Sequence, residues 1–556
     1  MKTIYEKYSK LLLGIGAFLF MFNVNVCGQG RADFFGIVHK SIAYADSSSL
    51  QIAVAEILGE YHQKGYINAA LDSIKTKKNR SFVYIYKGES YTIGKFEIQT
   101  PNETYAEIPI RVKPGRTADL IRLSAIKKEL ISHYENSGYP FAKVYSTFKE
   151  DSNKLYIRYT VDQGKFFVFD TILTNEVKIS STFLTRYLDI IPGNTYNEHQ
   201  ISKIDSRIKQ LGFLQLQQAP VVNFGKGIAR PELLLKTKQA NRFNGLVGIV
   251  PSTEEDKKYI VTGDIELNLK NTLGKGESID LQWKKTEKHS QQLQSGINWP
   301  YVFRTAFGAD LGLKMLKQDT SFVHLDLKTG IFLLFRGNNS ATGYYTDKRT
   351  IILSPKDTAS IAETQSYGTG ITLKSSLLDN RINPLKGYST ALDISAGQRK
   401  TQQSTSEKSF YWQTDISVAG FIPLYKNWVL MGQNHYLLLK SKKTLYKNEL
   451  FRVGGLNTLR GFDENQFYIN QGNISTIEFR WLFEENSHFK VFTDAAWLQT
   501  KHTGTTTENT VLGFGAGINL HTNAGIFTIS YALNYEKTNK TQLNNAKIHF
   551  GYINSF

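Results

Sequence analysis

The chain has 556 residues, room for several domains. Its residues are 41% apolar, yet a mean hydropathy of -0.31 excludes a helical membrane protein. The formal charge of +18 is spread over both halves of the chain and forms no patch or arm. That pattern speaks against nucleic-acid binding and for a solvated surface near anionic lipid.

Residues 1–28 read as a secretory signal peptide, because Lys2, Lys7 and Lys10 precede an apolar run from Leu11 to Val26. Val26-Cys27-Gly28 places the cut before Gln29. A lipoprotein would instead be acylated at Cys27, which Val24-Asn25-Val26 fits poorly. Cys27 is the single cysteine, so a processed chain has no disulfide and no thiol nucleophile. These features suit an exported protein of a bacterial envelope.

Residues 29–240 repeat internally. Helical patterns end in Lys64-Gly65-Tyr66, Ser137-Gly138-Tyr139 and Leu211-Gly212-Phe213, about 74 residues apart. Leu120, Leu123, Ile126, Leu130 and Tyr134 recur at helical spacing before the second glycine. Ile201, Ile204, Ile208 and Leu211 do so before the third. Each glycine stands where a helix end needs a left-handed residue. Helix starts repeat as Pro114-Gly115-Arg116-Thr117 and Pro192-Gly193-Asn194-Thr195. Strands follow at Phe82–Tyr86 and Leu155–Val161, and Gly88–Phe96 aligns with Gly164–Ile172. Length, element order and the helix-ending Gly-aromatic resemble the POTRA (polypeptide-transport-associated) domain. Three are drawn at 42–90, 91–165 and 166–238; three generic α+β repeats are the alternative.

Residues 239–556 change character. All six tryptophans lie here, as at membrane–water interfaces or in a sandwich core. Short segments of period two include Tyr259–Leu269, Ser278–Lys284, Phe410–Val418 and Lys547–Ile553. That period sets one face in lipid and the other in a lumen, and about sixteen such segments suit a bacterial outer-membrane barrel. Turns are expected at Asn298-Trp299-Pro300-Tyr301, at Asn383-Pro384-Leu385-Lys386-Gly387 and at Ile422-Pro423-Leu424, on the periplasmic rim. The expected fold class is mainly β: a C-terminal 16-stranded antiparallel transmembrane β-barrel preceded by three α+β POTRA domains.

Within this region lies Gly454-Gly455-Leu456-Asn457-Thr458-Leu459-Arg460-Gly461-Phe462, in a long loop from about Ser441 to Gly472. POTRA repeats, barrel and Arg-Gly-Phe together resemble the BamA/TamA superfamily of outer-membrane assembly proteins (the bacterial surface antigen family). The resemblance places Arg460-Gly461-Phe462 between strands 11 and 12, with Glu478 on strand 12 and Asp494 on strand 13. Asp379…Gly387 resembles the family's turn between strands 8 and 9. Phe492-Thr493-Asp494-Ala495-Ala496 has Ala496 where the family usually has Gly. Arg presents a planar fork that two carboxylates can hold, so Arg460, Gly461, Phe462, Glu478 and Asp494 are candidates for a loop latch. Gly245, Gly248, Gly551 and the terminal Phe556 are candidates for a lateral seam between the first and last barrel strands.

No His-Glu-x-x-His, P-loop or Gly-x-Ser-x-Gly occurs, and Gly387-Tyr388-Ser389-Thr390-Ala391 ends in Ala. The histidines lack metal-ligand spacing. No catalytic residue, metal or cofactor is expected. The resemblance implies a factor that inserts β-barrel proteins or helps move proteins across the outer membrane. Its POTRA domains would bind client strands, and its partners would be the outer-membrane bilayer, unfolded outer-membrane or secreted clients and periplasmic accessory subunits. The alternatives are a two-partner-secretion transporter of one dedicated protein, or a passive porin. Residues 29–41 look too short for the former's plug helix and linker, and POTRA repeats argue against the latter.

Overall fold

The computed structural model describes residues 30–555, apart from 36–39, 45, 78–79, 101–111, 252–258, 286–289, 336–338, 355–359, 381–382, 403–405, 503–504, 523–524 and 537–545. The proposed signal peptide and Phe556 lie outside the described residues.

The first α+β unit is a four-stranded sheet covered by helix α1 (Ser47–Gln63). Its strand Gly30–Phe35 starts upstream of residue 42 and pairs in parallel with Arg80–Tyr86. The Asp46 carboxylate accepts the Ser49 amide at 2.8 Å, which caps α1. Ala53, Val54, Ile57 and Tyr61 then pack one helical face onto Ala32, Phe34 and Val83 of the sheet. In the second unit, α2 (Leu120–Glu135) lays Leu123, Ile126, Leu130 and Tyr134 on Leu155, Ile157 and Tyr159 of a three-stranded sheet. The expected helix before the third glycine is broken at Lys203 into α4 (Glu198–Ser202) and α5 (Ile204–Leu211), preceded by α3 (Ser181–Leu188).

The repeat extends to single hydrogen bonds. Gly65 O accepts the Tyr91 amide at 2.9 Å, and Gly138 O accepts the Phe167 amide at 2.8 Å. Likewise Gly115 donates to Ile93 O at 2.7 Å and Gly193 to Phe169 O at 2.8 Å. Gly65, Gly138 and Gly212 take φ of 85°, 97° and 80°, the left-handed backbone expected at these helix ends.

The C-terminal region is a barrel of sixteen antiparallel strands, numbered 1 to 16 in chain order from Arg242–Pro251 to Lys547–Ser555. Alternation sends Ile331, Ile477, Val491 and Ile548 outward with 63%, 61%, 62% and 73% exposure, a surface that water penalises and lipid accepts. Alternate residues face the lumen as a polar network. There Lys328 reaches Asp393 at 3.3 Å, and Tyr344 and Thr372 each donate to the same carboxylate at 2.5 Å. No described helix is long and apolar enough to cross a membrane; the strands make the crossing.

One turn differs from expectation. Pro423 lies inside strand 10 (Ser406–Tyr425), opposite Val429. The register shifts between Pro423 and Tyr425, so a bulge at the strand end absorbs the missing N–H donor. The turn itself is Lys426-Asn427, with Lys426 at φ 45°.

Candidate functional site

A loop joins strand 11 (Trp428–Ser441) to strand 12 (Gln471–Glu484). Short strands Phe451–Val453 and Phe467–Ile469 pair at its base. Beyond them Gly454 and Gly455 take φ of 127° and 96°, and the Thr458 hydroxyl bonds both the Gly454 amide and carbonyl at 2.8 Å. This tight turn delivers Arg460 to the barrel wall.

Arg460 is almost wholly enclosed. Its Nε and Nη2 donate to the two Asp494 oxygens at 2.8 and 2.6 Å, a fork on a carboxylate. Nη1 donates to Glu478 Oε1 at 2.5 Å, and its backbone N–H adds a third bond to Asp494 at 3.0 Å. The guanidinium carbon lies 3.6 Å from the centroid of the Phe492 ring. Further donors complete the cluster: Thr476 Oγ1 donates to Asp494 at 2.8 Å, and Arg480 Nε to Glu478 Oε2 at 2.7 Å. Burial of three charges is tolerable only with such pairing. Phe462 is fully buried beside Leu437, Val453, Leu459, Ile469, Ile474, Ala496, Leu498 and Val511.

The barrel closes by a short ladder. Among the described residues, strand 1 meets strand 16 at Arg242–Ser555 and Phe243–Asn554, against ten pairs between strands 1 and 2. Gly245 and Gly248 lie beyond these two pairs and pair only with Ile265 and Thr262 of strand 2, while Gly551 pairs with Thr528 of strand 15. Gly551 faces the loop tip, where a Cβ would meet Leu456 Cδ2 at 3.7 Å.

Residues 271–556 match the Omp85 superfamily domain, and 91–164 match the surface antigen variable number repeat of the POTRA class. The chain belongs to the Omp85 superfamily. This Omp85 protein is thus an outer-membrane β-barrel with periplasmic POTRA structure, in a family of non-enzymatic transporters and assembly factors. Among solved structures it is similar to CdiB from Escherichia coli, at 14% identity over 92% of this chain and 98% of that one, with a TM-score of 0.54. It is also similar to BamA from Haemophilus ducreyi lacking POTRA domains 1-3, at 17% identity over 84% of this chain and 100% of that one, with a TM-score of 0.46. No curated protein matches the sequence significantly.

The turn between strands 8 and 9 of the Omp85 barrel is built by Asp379. Its Oδ1 accepts the amides of Asn380, Leu385 and Lys386 at 3.0, 3.0 and 3.2 Å. Gly387 is required there, because a Cβ would sit 1.9 Å from Leu377 O. Asn383 donates to Glu485 O at 3.2 Å, tying this turn to the one between strands 12 and 13.

Three contributors escaped sequence reasoning. Gly513 on strand 14 faces Asp494 in the ladder, and a Cβ there would sit 1.9 Å from Arg460 O. Close approach of loop to wall is thus secured at Gly513, while Ala496 is buried under the loop without displacing it. Arg480 shares a face with Glu478, which the period of two could have revealed. Finally, buried Arg399 on strand 9 forks onto Glu449 of the loop and donates to Thr444 O at 2.9 Å. Nothing in the sequence around either residue marks this second anchor.

Proposed function

We propose that this protein inserts β-barrel proteins into the outer membrane or helps move proteins across it. Client strands are received by three POTRA units, drawn at 42–90, 91–165 and 166–238, and pass to the seam of the 239–556 barrel. The observation that carries the reading is the two-pair ladder between strands 1 and 16. Backbone donors and acceptors left over beyond Phe243–Asn554 form a template on which an incoming strand can pair. The latch residues Arg460, Gly461, Phe462, Glu478 and Asp494 hold the loop against strands 12 to 15, so the barrel stays ordered on the strand-16 side of that seam. Support against a passive pore comes from the repeated α+β units ahead of the barrel.

Depletion of the protein followed by proteomics of the outer membrane tests this. Loss of many or several barrel proteins supports insertion. Loss of one secreted protein with barrels intact would assign it to two-partner secretion, and an unchanged proteome would sink the proposal.

A further inference from the structure

The turn between strand 4 (Gln291–Trp299) and strand 5 (Phe307–Gln318) has an unusual backbone. Tyr301, Phe303 and Arg304 take φ of 54°, 54° and 62°, and none is glycine. Left-handed backbone is costly for side chains of this kind, and Asn or Gly would relieve it. The turn is nonetheless firmly built. Arg304 donates to Tyr301 O at 3.2 Å, Thr305 Oγ1 to Val302 O at 2.8 Å, and Arg186 Nη2 of α3 to Arg304 O at 3.1 Å.

The turn has two sides. On one, the Tyr301 ring lies 5.8 Å from that of Phe183 on α3. Phe183 also fills the space at Gly276, in the turn between strands 2 and 3, where a Cβ would come within 2.1 Å of its ring. On the other, Phe303 is 93% exposed, more than any other large hydrophobic side chain described. Its chain neighbours Trp299 and Phe307 belong to the outward, lipid-facing rows of strands 4 and 5, with Ile297 and Leu311 behind them. Contact with α3 fixes this end of the barrel as the periplasmic rim. Arg304 is exposed beside Phe303.

We infer that Phe303 is a membrane anchor that enters the phospholipid interface of the periplasmic leaflet, with Arg304 at headgroup level. An aromatic ring gains most where hydrocarbon meets water, and a cation beside it suits phosphate. Continuity with the lipid-facing rows selects a bilayer over a protein as the occupant. Because Tyr301 and Arg304 O of the same turn hold α3, the anchor sets that helix at a defined height above the lipid. The inference stands apart from client handling and can fail without it.

The test uses the full chain carrying Cys27→Ser with Phe303→Cys, labelled with an environment-sensitive fluorophore and folded into phosphatidylcholine vesicles. Lys226→Cys, at an exposed hairpin tip with φ 50°, serves as the water reference. Blue-shifted emission at 303, with loss of intensity when nitroxide lipid labelled near the carbonyl is included, and neither at 226, supports the anchor. Emission at 303 indistinguishable from that at 226 overturns it. Should the cysteine variant not fold, Phe303→Trp in brominated lipid decides: added quenching over the parent supports the anchor, and none overturns it.

Discussion

Replacing Arg460 with Ala removes the guanidinium that is bonded to both loop-facing carboxylates. The two acids do not suffer equally. Asp494 is 1% exposed and loses both guanidinium bonds, keeping only the Thr476 hydroxyl and the residue 460 amide. Glu478 keeps Arg480, bonded at 2.7 and 2.6 Å. A buried charge stripped of its partner costs about 3–5 kcal/mol, so Arg460→Ala falls in that range. Asp494→Asn is nearly as severe, because it breaks the fork. Glu478→Gln leaves the fork whole and costs about 1–2 kcal/mol. In Arg460→Ala/Asp494→Asn the stranded charge is gone, so the double change costs less than the sum, with a coupling at the upper end of about 0.5–3 kcal/mol. The assay is urea unfolding in detergent or vesicles, followed by the gel-mobility change that boiling causes in a folded barrel. Additive effects at 460 and 494, or a Glu478→Gln as damaging as Asp494→Asn, would refute the reasoning.

Two further outcomes are expected. Arg399→Ala strands Glu449 and frees the outer part of the loop, so trypsin should cut after Lys442, Lys443 or Lys447 faster than in the parent while the boiling shift is kept; equal cleavage rates would remove the second anchor. In the second α+β unit, burial pushes the Tyr159 phenol up to about 12 while its O–H donates to Leu123 O at 2.9 Å. Its folded value lies above the unfolded one of about 10, so its contribution is complete below about pH 10 and is lost as pH rises towards 12. Alkaline unfolding followed by circular dichroism should therefore be shallower in Tyr159→Phe, and an unchanged alkaline limb would contradict the assignment.

What could be read in advance followed from periodicity and from charge. Alternation along Ser278–Lys284 or Lys547–Ile553 is a direct consequence of lipid on one side and water on the other, so strand count and loop position came with it. The Arg460 pairing was legible because the Arg-Gly-Phe loop and the two carboxylates resemble a family pattern that sets Glu478 and Asp494 on neighbouring strands, and a guanidinium fork suits two carboxylates. Gly513 was not, since its need for a bare Cα arises from a loop backbone far away in sequence. The Arg399–Glu449 anchor is equally non-local. Strand Gly30–Phe35 alternates only from Arg31 to Phe34, too short a run to mark a strand by itself, and its partners at residues 40–44 and 80–84 define it. Pro423 misled because a strand end with a bulge tolerates what a central ladder does not.

The Arg460 loop and the junction of strands 16 and 1 are linked through strands 15 and 16. Asn534 on strand 15 donates to Gly461 O at 2.8 Å. On strand 16, Lys547 reaches Asp463 at 2.7 Å and Leu456 lies over Gly551. The ladder from strand 16 to strand 1 has two residue pairs, whose hydrogen bonds contribute about 1 kcal/mol each. The Arg460 cluster is bonded to strands 12 and 13, and leaving one of its charges unpaired costs about 3–5 kcal/mol. Strand 16 itself is held by seven pairs to strand 15 and by the Lys547–Asp463 and Gly551–Leu456 contacts of the loop, against two described pairs to strand 1. Under the proposed function, a strand arriving at the seam would compete with these two pairs, while strand 16 stays ordered against strand 15.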